Sequence, residues 1–276
     1  MGLQLEDGPA RKARVLAQYG SKQAAADYAH VVDGQSPRGR NQRYRIRLVQ
    51  ETLARHPGGA LLDAGCGPGM MARTLLADRP ADFSITVLDQ SWAMIDYCRE
   101  NVRDVGEVHP TVGQLEALPF ASASFDVALI MGALEYADAR AALRETARIL
   151  RPGGLVVVTM LNPLSPYRLT EWFLYWPLVR LLGLLEEKLA GPAGRRHAAV
   201  YTGIHTFHAR RLQRLLLDAG LLPLDVVHYD ITGLVPPLDR LPALTSRAAR
   251  TPYQRTASRG WRRWLGTAYL ISARRP

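Results

Sequence analysis

The sequence predicts an α/β fold: a doubly wound, seven-stranded, mostly parallel sheet covered by helices, with a helical lid inserted late in the chain. Three observations predict it. Short apolar runs alternate with helix-period segments from about residue 59 to 160, the pattern of parallel strands joined by crossovers. A glycine-rich loop, "DAGCGPG" at 63–69, directly follows the first apolar run, where open parallel sheets bind ligands. After Met160 the rhythm breaks into "NPLSPYRLTEWFLYWPLVRLLGLLEEKLAGPAG", too long for an ordinary connection.

The elements follow in order. Residues 10–56 read as helical, with Val15, Leu16, Tyr19 and Tyr28 at helix-like spacings and a second helix over about 41–56. "GALLDAG" is the first strand and "MMARTLLAD" the helix behind it. "FSITVLD" is the second strand, and Ser91 is positioned to cap the helix "SWAMIDYCREN". "VHPTVGQ" is a weak third strand, "FDVALIM" a fourth, and "DARAALRETARIL" its helix, which "RPGG" stops. "LVVVTM" is the fifth strand. Further on, His208 starts and Gly220 ends the helix "ARRLQRLLLDAG". "LPLDVVHYD" and "GTAYLISARR" are the last two strands.

Composition narrows the classes. The 276 residues are 47% hydrophobic, enough for a sizeable core, and carry only Cys66 and Cys98, which is no disulfide framework. The N-terminus lacks the apolar segment of a secretory signal, and no run of about 18 uncharged apolar residues would span a membrane. A cytoplasmic protein is expected. The net charge is +10, mostly from arginine. It suits nucleic acid, anionic lipid or an acidic substrate, or reflects an arginine- and alanine-rich composition. No RNA-binding module or aromatic platform is legible, so nucleic acid is not an expected partner.

The glycine loop excludes two ligands. Counting from Gly65 and Gly67, the third glycine of a dinucleotide fingerprint falls on Met70, and the Lys-Ser/Thr of a phosphate-cradling loop is missing. Asp63, at the strand end, would repel a pyrophosphate and favour a cation. S-adenosylmethionine fits: it has an ammonium, a sulfonium and no phosphate, and its carboxylate can use a helix N-terminus.

From these residues on, the chain resembles the class I S-adenosylmethionine-dependent methyltransferases, small-molecule type, similar to the ubiquinone/menaquinone group. "LLDAGCGPG" is similar to their first motif, "VLDQSWAMIDYCREN" to the second strand and helix, and "VGQLEALPFASASFDVALIMGALEYADARAALRETARILRPGG" to the later blocks. The resemblance implies a Rossmann-like fold and a set of roles. Asp63 orients the methionine ammonium, and Ala64, Gly65 and Gly67 offer backbone to the methionine portion. Asp89, 26 residues after Asp63, binds both ribose hydroxyls. Gln90 and Met94 lie against the adenine, Leu115 gives it a backbone N–H, and Met131 faces the reactive end. Gln114 stands where the family often has aspartate, and Tyr136 where many relatives have histidine. A tyrosine can orient a substrate but is a poor base at neutral pH.

Four segments are expected: an N-terminal helical cap over 1–56, the S-adenosylmethionine-binding core over 57–160, a lid or acceptor insertion over 161–207, and the rest of the core with an inserted basic segment over 208–276. Transfer from a sulfonium needs mainly positioning; a hydroxyl acceptor additionally needs a base. His205 is the first candidate, with Tyr201 and Tyr136 as polar neighbours, and no metal-ligand spacing is present. "EWFLYWPLVRLLGLLEEKL" suits a lid over a greasy acceptor, a helix on a membrane surface with Trp172 and Trp176 at the interface, or plain core packing. The expected partner is a small, lipophilic acceptor methylated on oxygen or carbon, with peripheral membrane contact as the companion reading and a monomer or homodimer as the assembly. A quinone- or lipid-biosynthetic C-methyltransferase and a non-catalytic S-adenosylmethionine binder are the alternatives. "NPLS" at 162–165 follows the fifth strand, not the fourth, so an amino-group methylation motif of nucleic-acid enzymes is rejected.

Overall fold

A computed structural model describes residues 8–33, 36–190, 204–241, 255–257 and 261–276. The strands are β1 (Gly59–Ala64), β2 (Phe83–Asp89), β3 (His109–Val112), β4 (Phe125–Met131), β5 (Leu150–Leu161), β6 (Leu222–Ile231), β7 (Arg255–Ala257) and β8 (Gly266–Arg274). They form one sheet in the order β3-β2-β1-β4-β5-β8-β6-β7. The β1–β5 neighbours all pair in parallel, and β8 enters antiparallel between β5 and β6. The seven expected strands are there. The three-residue β7 adds an eighth at the edge, too short to carry a period-2 signal.

Helices α4 (Met70–Asp78), α5 (Trp92–Val102), α6 (Ala139–Ile149) and α9 (Ala209–Asp218) flank the sheet. One face is packed by Leu48, Val49 and Leu53 together with α4 and α5, the other by α6 and α9. The three expected caps form, and Asp138 adds a fourth. Ser91 Oγ accepts from the Met94 N–H at 3.3 Å, and Asp138 accepts from two N–H groups of α6. His208 Nδ1 accepts from Arg211 N–H at 3.3 Å, and Gly220 takes φ +81° just past α9.

Two boundaries differ from the sequence reading. The N-terminal region holds three helices, α1 (Gly8–Tyr19), α2 (Lys22–Asp33) and α3 (Pro37–Leu53). The last begins earlier than 41 because Ser36 caps it, accepting from Gly39 N–H at 3.1 Å, and Pro37 pre-sets the first turn. Strand β5 runs back through "RPGG" to Leu150, where it pairs with Phe125 across an irregular register. The helix stop and the strand start therefore overlap.

Helix α3 is pinned to the sheet by buried polar groups. Arg40 Nε donates to Asp230 Oδ1 at 2.8 Å, and both side chains are almost wholly buried. Asn41 Nδ2 and Thr267 Oγ1 donate to Asp230 Oδ2 at 3.2 and 2.5 Å. Removing one partner of such a pair strands a charge in low dielectric. Asp230→Asn, which keeps size and hydrogen-bonding shape at a φ of +53°, should lower unfolding free energy by about 3 kcal/mol. Chemical denaturation would measure it, and an unchanged midpoint would show that the pair contributes nothing.

Candidate active site

The site lies at the C-terminal ends of β1, β2 and β4, where the strand order switches direction. A cavity of about 1080 Å³ opens there. On one side it is lined by Gly65, Gly67, Asp89, Gln90, Met94, Gln114, Leu115 and Met131. On the other it is lined by Val15, Tyr19 and Tyr28 of α1 and α2, by Asn41, Gln42 and Arg45 of α3, and by Tyr136. The chain after β5 closes a further wall. There α7 (Pro166–Thr170), a π-helical turn (Glu171–Tyr175) and α8 (Trp176–Ala190) supply Tyr167, Arg168, Glu171, Trp172 and Trp176.

The loop is shaped by what its glycines permit. A Cβ on Gly65, at φ +78°, would come within 2.3 Å of Ala133 Cβ, so the β1 turn can meet the β4 turn only with glycine. A Cβ on Gly67 would meet no protein atom within 4 Å; that open space faces the cavity. Asp89 organises the loop as well as facing the cavity. Its Oδ2 accepts from Gly67 N–H at 3.0 Å and its Oδ1 from Ser91 N–H at 2.9 Å. Burial pushes its pKa up despite those hydrogen bonds.

Asp63 and Ala64 lie beneath the lining rather than in it, 2% and 1% exposed. Asp63 Oδ2 is buried without a hydrogen-bond partner. Burial first, and the Asp89 charge second, push its pKa up to about 7. A buried carboxylate lacking a cation is what an ammonium-bearing ligand would complete. The orphaned oxygen, the open space over Gly67 and the absence of any phosphate-binding cation in the loop fit S-adenosylmethionine. At the start of α4, Gly69 packs on Cys98, and Asn101 Nδ2 donates to the Pro68 carbonyl at 2.9 Å.

The wall opposite the glycine loop is aromatic. Tyr19 stands edge-on to both Tyr28 and Tyr136, with ring centroids 6.0 and 6.1 Å apart. The Tyr19 and Tyr136 hydroxyls are 3.3 Å apart, and Ser91 Oγ donates to the Tyr19 carbonyl at 2.8 Å. Burial holds the Tyr136 phenol well above its ordinary pKa, so it stays protonated. Glu135 is buried, its Oε1 accepting from Leu161 N–H at 2.9 Å, and burial raises its pKa. His205 is half-buried and donates its backbone N–H to the Glu135 carbonyl at 2.7 Å. The cavity wall there is made by Ile204, and His205 is not part of it. Tyr201 lies outside the described residues.

Sequence reasoning missed Arg45, Asn41 and Gln42, hidden in a run read as general basic composition. It took Tyr19 and Tyr28 for core spacing. No metal-binding group of three or more His, Cys, Asp or Glu occurs among the described residues.

Residues 62–158 match the family model of a methyltransferase domain. Malonyl-[acyl-carrier protein] O-methyltransferase of Pseudescherichia vulneris is 33% identical over 138 residues, covering 50% of this chain and 53% of that protein. A ubiquinone/menaquinone biosynthesis C-methyltransferase of Geobacter sp. (strain M21) is 28% identical over 203 residues, 71% of this chain and 83% of that one. The chain thus spans about half the length of the first of these relatives. Among solved structures, a possible histamine N-methyltransferase from Thermotoga maritima superposes with a TM-score of 0.61 at 19% identity, over 92% of this chain and 97% of that one. At that identity the likeness speaks for the fold.

Two outcomes are expected. Asp89→Ala should weaken S-adenosylhomocysteine binding by about 2–3 kcal/mol, since a charge-assisted contact and the loop's anchor are lost together; calorimetry showing unchanged affinity would remove Asp89 from the site. Asp63 gives the second. A cationic ligand favours its ionised form, so binding should tighten as pH rises from about 5.5 to 7.5 and should release protons. Titrations in buffers of different ionisation enthalpy would read the proton release, and Asp63→Asn should flatten the pH slope.

Proposed function

We propose that this chain, which carries a class I S-adenosylmethionine-dependent methyltransferase domain, methylates a small, lipophilic acceptor. One observation carries the reading: a single cavity joins the glycine loop and Asp89 to a chamber walled by Tyr19, Tyr28, Tyr136, Trp172 and Trp176. The bound S-adenosylmethionine supplies an activated methyl group on a sulfonium.

The protein's own residues then have four tasks. Asp89 holds the ribose diol, with Gln90 and Met94 against the adenine and the Leu115 N–H and Gln114 at its edge. Asp63, Ala64, Gly65 and Gly67 hold the amino-acid end, and Met131 borders the reactive end. The aromatic chamber excludes water and orients the acceptor, which is where most of the rate enhancement for an activated donor arises. Tyr136, protonated, donates a hydrogen bond rather than taking a proton. For a hydroxyl acceptor His205, with Tyr201 nearby in sequence, is the base; its position behind Ile204 means that the 161–207 lid would have to bring it to the cavity. A carbon acceptor or an already ionised oxygen needs no such step.

A membrane-surface version of this reading has its own support. Phe173, Leu174, Leu178, Leu181, Leu184 and Leu189 are all exposed on the helix whose Trp172 and Trp176 line the cavity, and Leu189 is 88% exposed. Arg180 and Lys188 on the same helix are exposed too. Among the described residues no helix is long and apolar enough to cross a membrane. A helix lying in the interface would let an acceptor pass from lipid into the chamber. A quinone-like lipid methylated on carbon, in line with the name of the Geobacter relative, is the specific case.

Three measurements separate these readings. Product profiling with methyl-labelled cofactor should find label in an organic-extractable product; cofactor binding without transfer to any acceptor would favour a non-catalytic binder. The chain should float with vesicles containing anionic lipid, and Phe173→Asp with Leu181→Asp should abolish flotation. Failure of the native chain to float leaves the helix as a lid. His205→Ala should lower turnover by about 10²–10⁴ with cofactor affinity unchanged if the acceptor is a hydroxyl; full turnover would remove His205 from the mechanism.

A further inference from the structure

The chain has two cysteines, and the fold brings them together beside the glycine loop. Cys66 stands between Gly65 and Gly67 and is half-buried; Cys98 is on α5, its side chain wholly buried. The Cys66 thiol is hydrogen-bonded to the Cys98 side chain, and its Sγ also reaches the Gly67 carbonyl at 3.5 Å. The close approach depends on Gly69. A Cβ there would stand 2.3 Å from Cys98 Sγ and 3.1 Å from Cys98 Cβ, so a larger residue would push α5 and the loop apart. Cys98 itself is fixed, in one core cluster with Leu75, Ile95 and Val102. The roles assigned above to the cofactor and acceptor sites use neither thiol.

Cys66 is held where its movement matters. The Gly65 and Cys66 N–H groups both donate to the Leu88 carbonyl, at 2.6 and 3.0 Å, and the Cys66 carbonyl accepts from Gly69 N–H at 3.1 Å. The next donor along, Gly67 N–H, is the one that anchors the loop to Asp89 Oδ2 at 3.0 Å. A covalent bond between the two sulfurs draws Cys66 toward the packed α5. Gly67 moves with it, and its hydrogen bond to Asp89 is lost.

We propose that Cys66 and Cys98 form a reversible disulfide that distorts the cofactor loop and lowers cofactor affinity. The oxidant is a hydroperoxide. The sulfur of Cys66, the more exposed of the two, attacks the distal peroxide oxygen; the O–O bond breaks, an alcohol or water leaves, and Cys66 becomes a sulfenic acid. The Cys98 sulfur then attacks the Cys66 sulfur, and the hydroxyl departs as water with the Cys98 proton. The two thiols give up two electrons and two protons, the peroxide takes them, and a thiol reductant reverses the change. Contact with Cys98 and burial hold the Cys66 thiol well above its ordinary pKa, with Asp89 of β2 and Asp63 of β1 also facing it. Since the thiolate is the nucleophile, oxidation quickens as pH rises. The effect on affinity rests on the S-adenosylmethionine reading above; the disulfide does not.

Hydrogen peroxide added to the reduced full chain tests it. Peptide mapping without reductant should find Cys66 joined to Cys98 within one chain, formed faster at about pH 8.5 than at about pH 7. Affinity for S-adenosylhomocysteine, read by calorimetry, should fall by roughly 10-fold and return with dithiothreitol. Cys98→Ala should gain oxygen at Cys66 in place of the crosslink. Should that variant lose its native circular dichroism, Cys66→Ala takes its place and should keep its starting affinity through the peroxide treatment. Three results overturn the proposal. The thiols stay free or oxidise separately; the crosslink forms and affinity is unchanged; or affinity falls and dithiothreitol does not restore it, which would place the damage at a methionine such as Met94 or Met131. If the reduced chain does not bind S-adenosylhomocysteine, the cofactor reading falls and the control of affinity with it, whereas a missing crosslink in a chain that binds overturns this proposal alone.

Discussion

A carboxylate buried without a cation is the constraint around which the site is built. Asp63 sits in the buried C-terminal half of β1, and its free oxygen is shut off from water. Such a group is tolerated in the free protein by taking up a proton near neutrality, and it is stabilised when a positive ligand arrives. Everything nearby preserves that arrangement. Glycine at 65 lets two strand ends touch, Asp89 ties the loop back through the Gly67 N–H, and the turn after β4 presents Met131 and Gly132 to an arginine. A more ordinary ion pair at Asp63 would remove the need for a ligand.

The N-terminal helices are part of the same construction. The buried Arg40–Asp230 pair, with Asn41 and Thr267, fixes the start of α3 against β6 and β8. Arg45 lies little more than one turn further along and inherits that position. Helices α1 and α2 then lie over the strand ends, tied by Ser91 to the Tyr19 carbonyl and by the Tyr19–Tyr136 hydroxyl pair. A segment with no nucleotide-binding motif of its own thus encloses both ends of the cavity.

The far side of the cavity is built differently. Its aromatic rings Tyr19, Tyr28, Tyr136, Trp172 and Trp176 stand beside polar and charged groups, among them Gln42, Arg168 and Glu171. The wall that includes Trp172 and Trp176 continues into a helix whose outer surface is also apolar. A core helix would bury that surface, but here Val179 and Gly183 are the inward positions, while Phe173 and Leu189 face outward.

Local chemistry made much of this legible from the sequence. The strands β1, β2 and β4, the caps at Ser91 and His208, and the ligand class suggested by Asp63 each depend on a few adjacent residues, and the glycine spacing together with Asp63 argued against a pyrophosphate. Three features came only with tertiary structure. Tyr19 and Tyr28 look like core spacing until α1 and α2 are laid across the strand ends. Arg45 is one arginine among many until the β4 turn supplies its carbonyl. His205 has the right chemistry beside the right helix, yet Ile204 takes the place at the cavity wall. Sequence fixes which groups a chain can offer because side-chain chemistry and short-range backbone preference are local. Which of them face one another across 86 residues, as Arg45 and Met131 do, is decided by packing, and packing leaves no local trace.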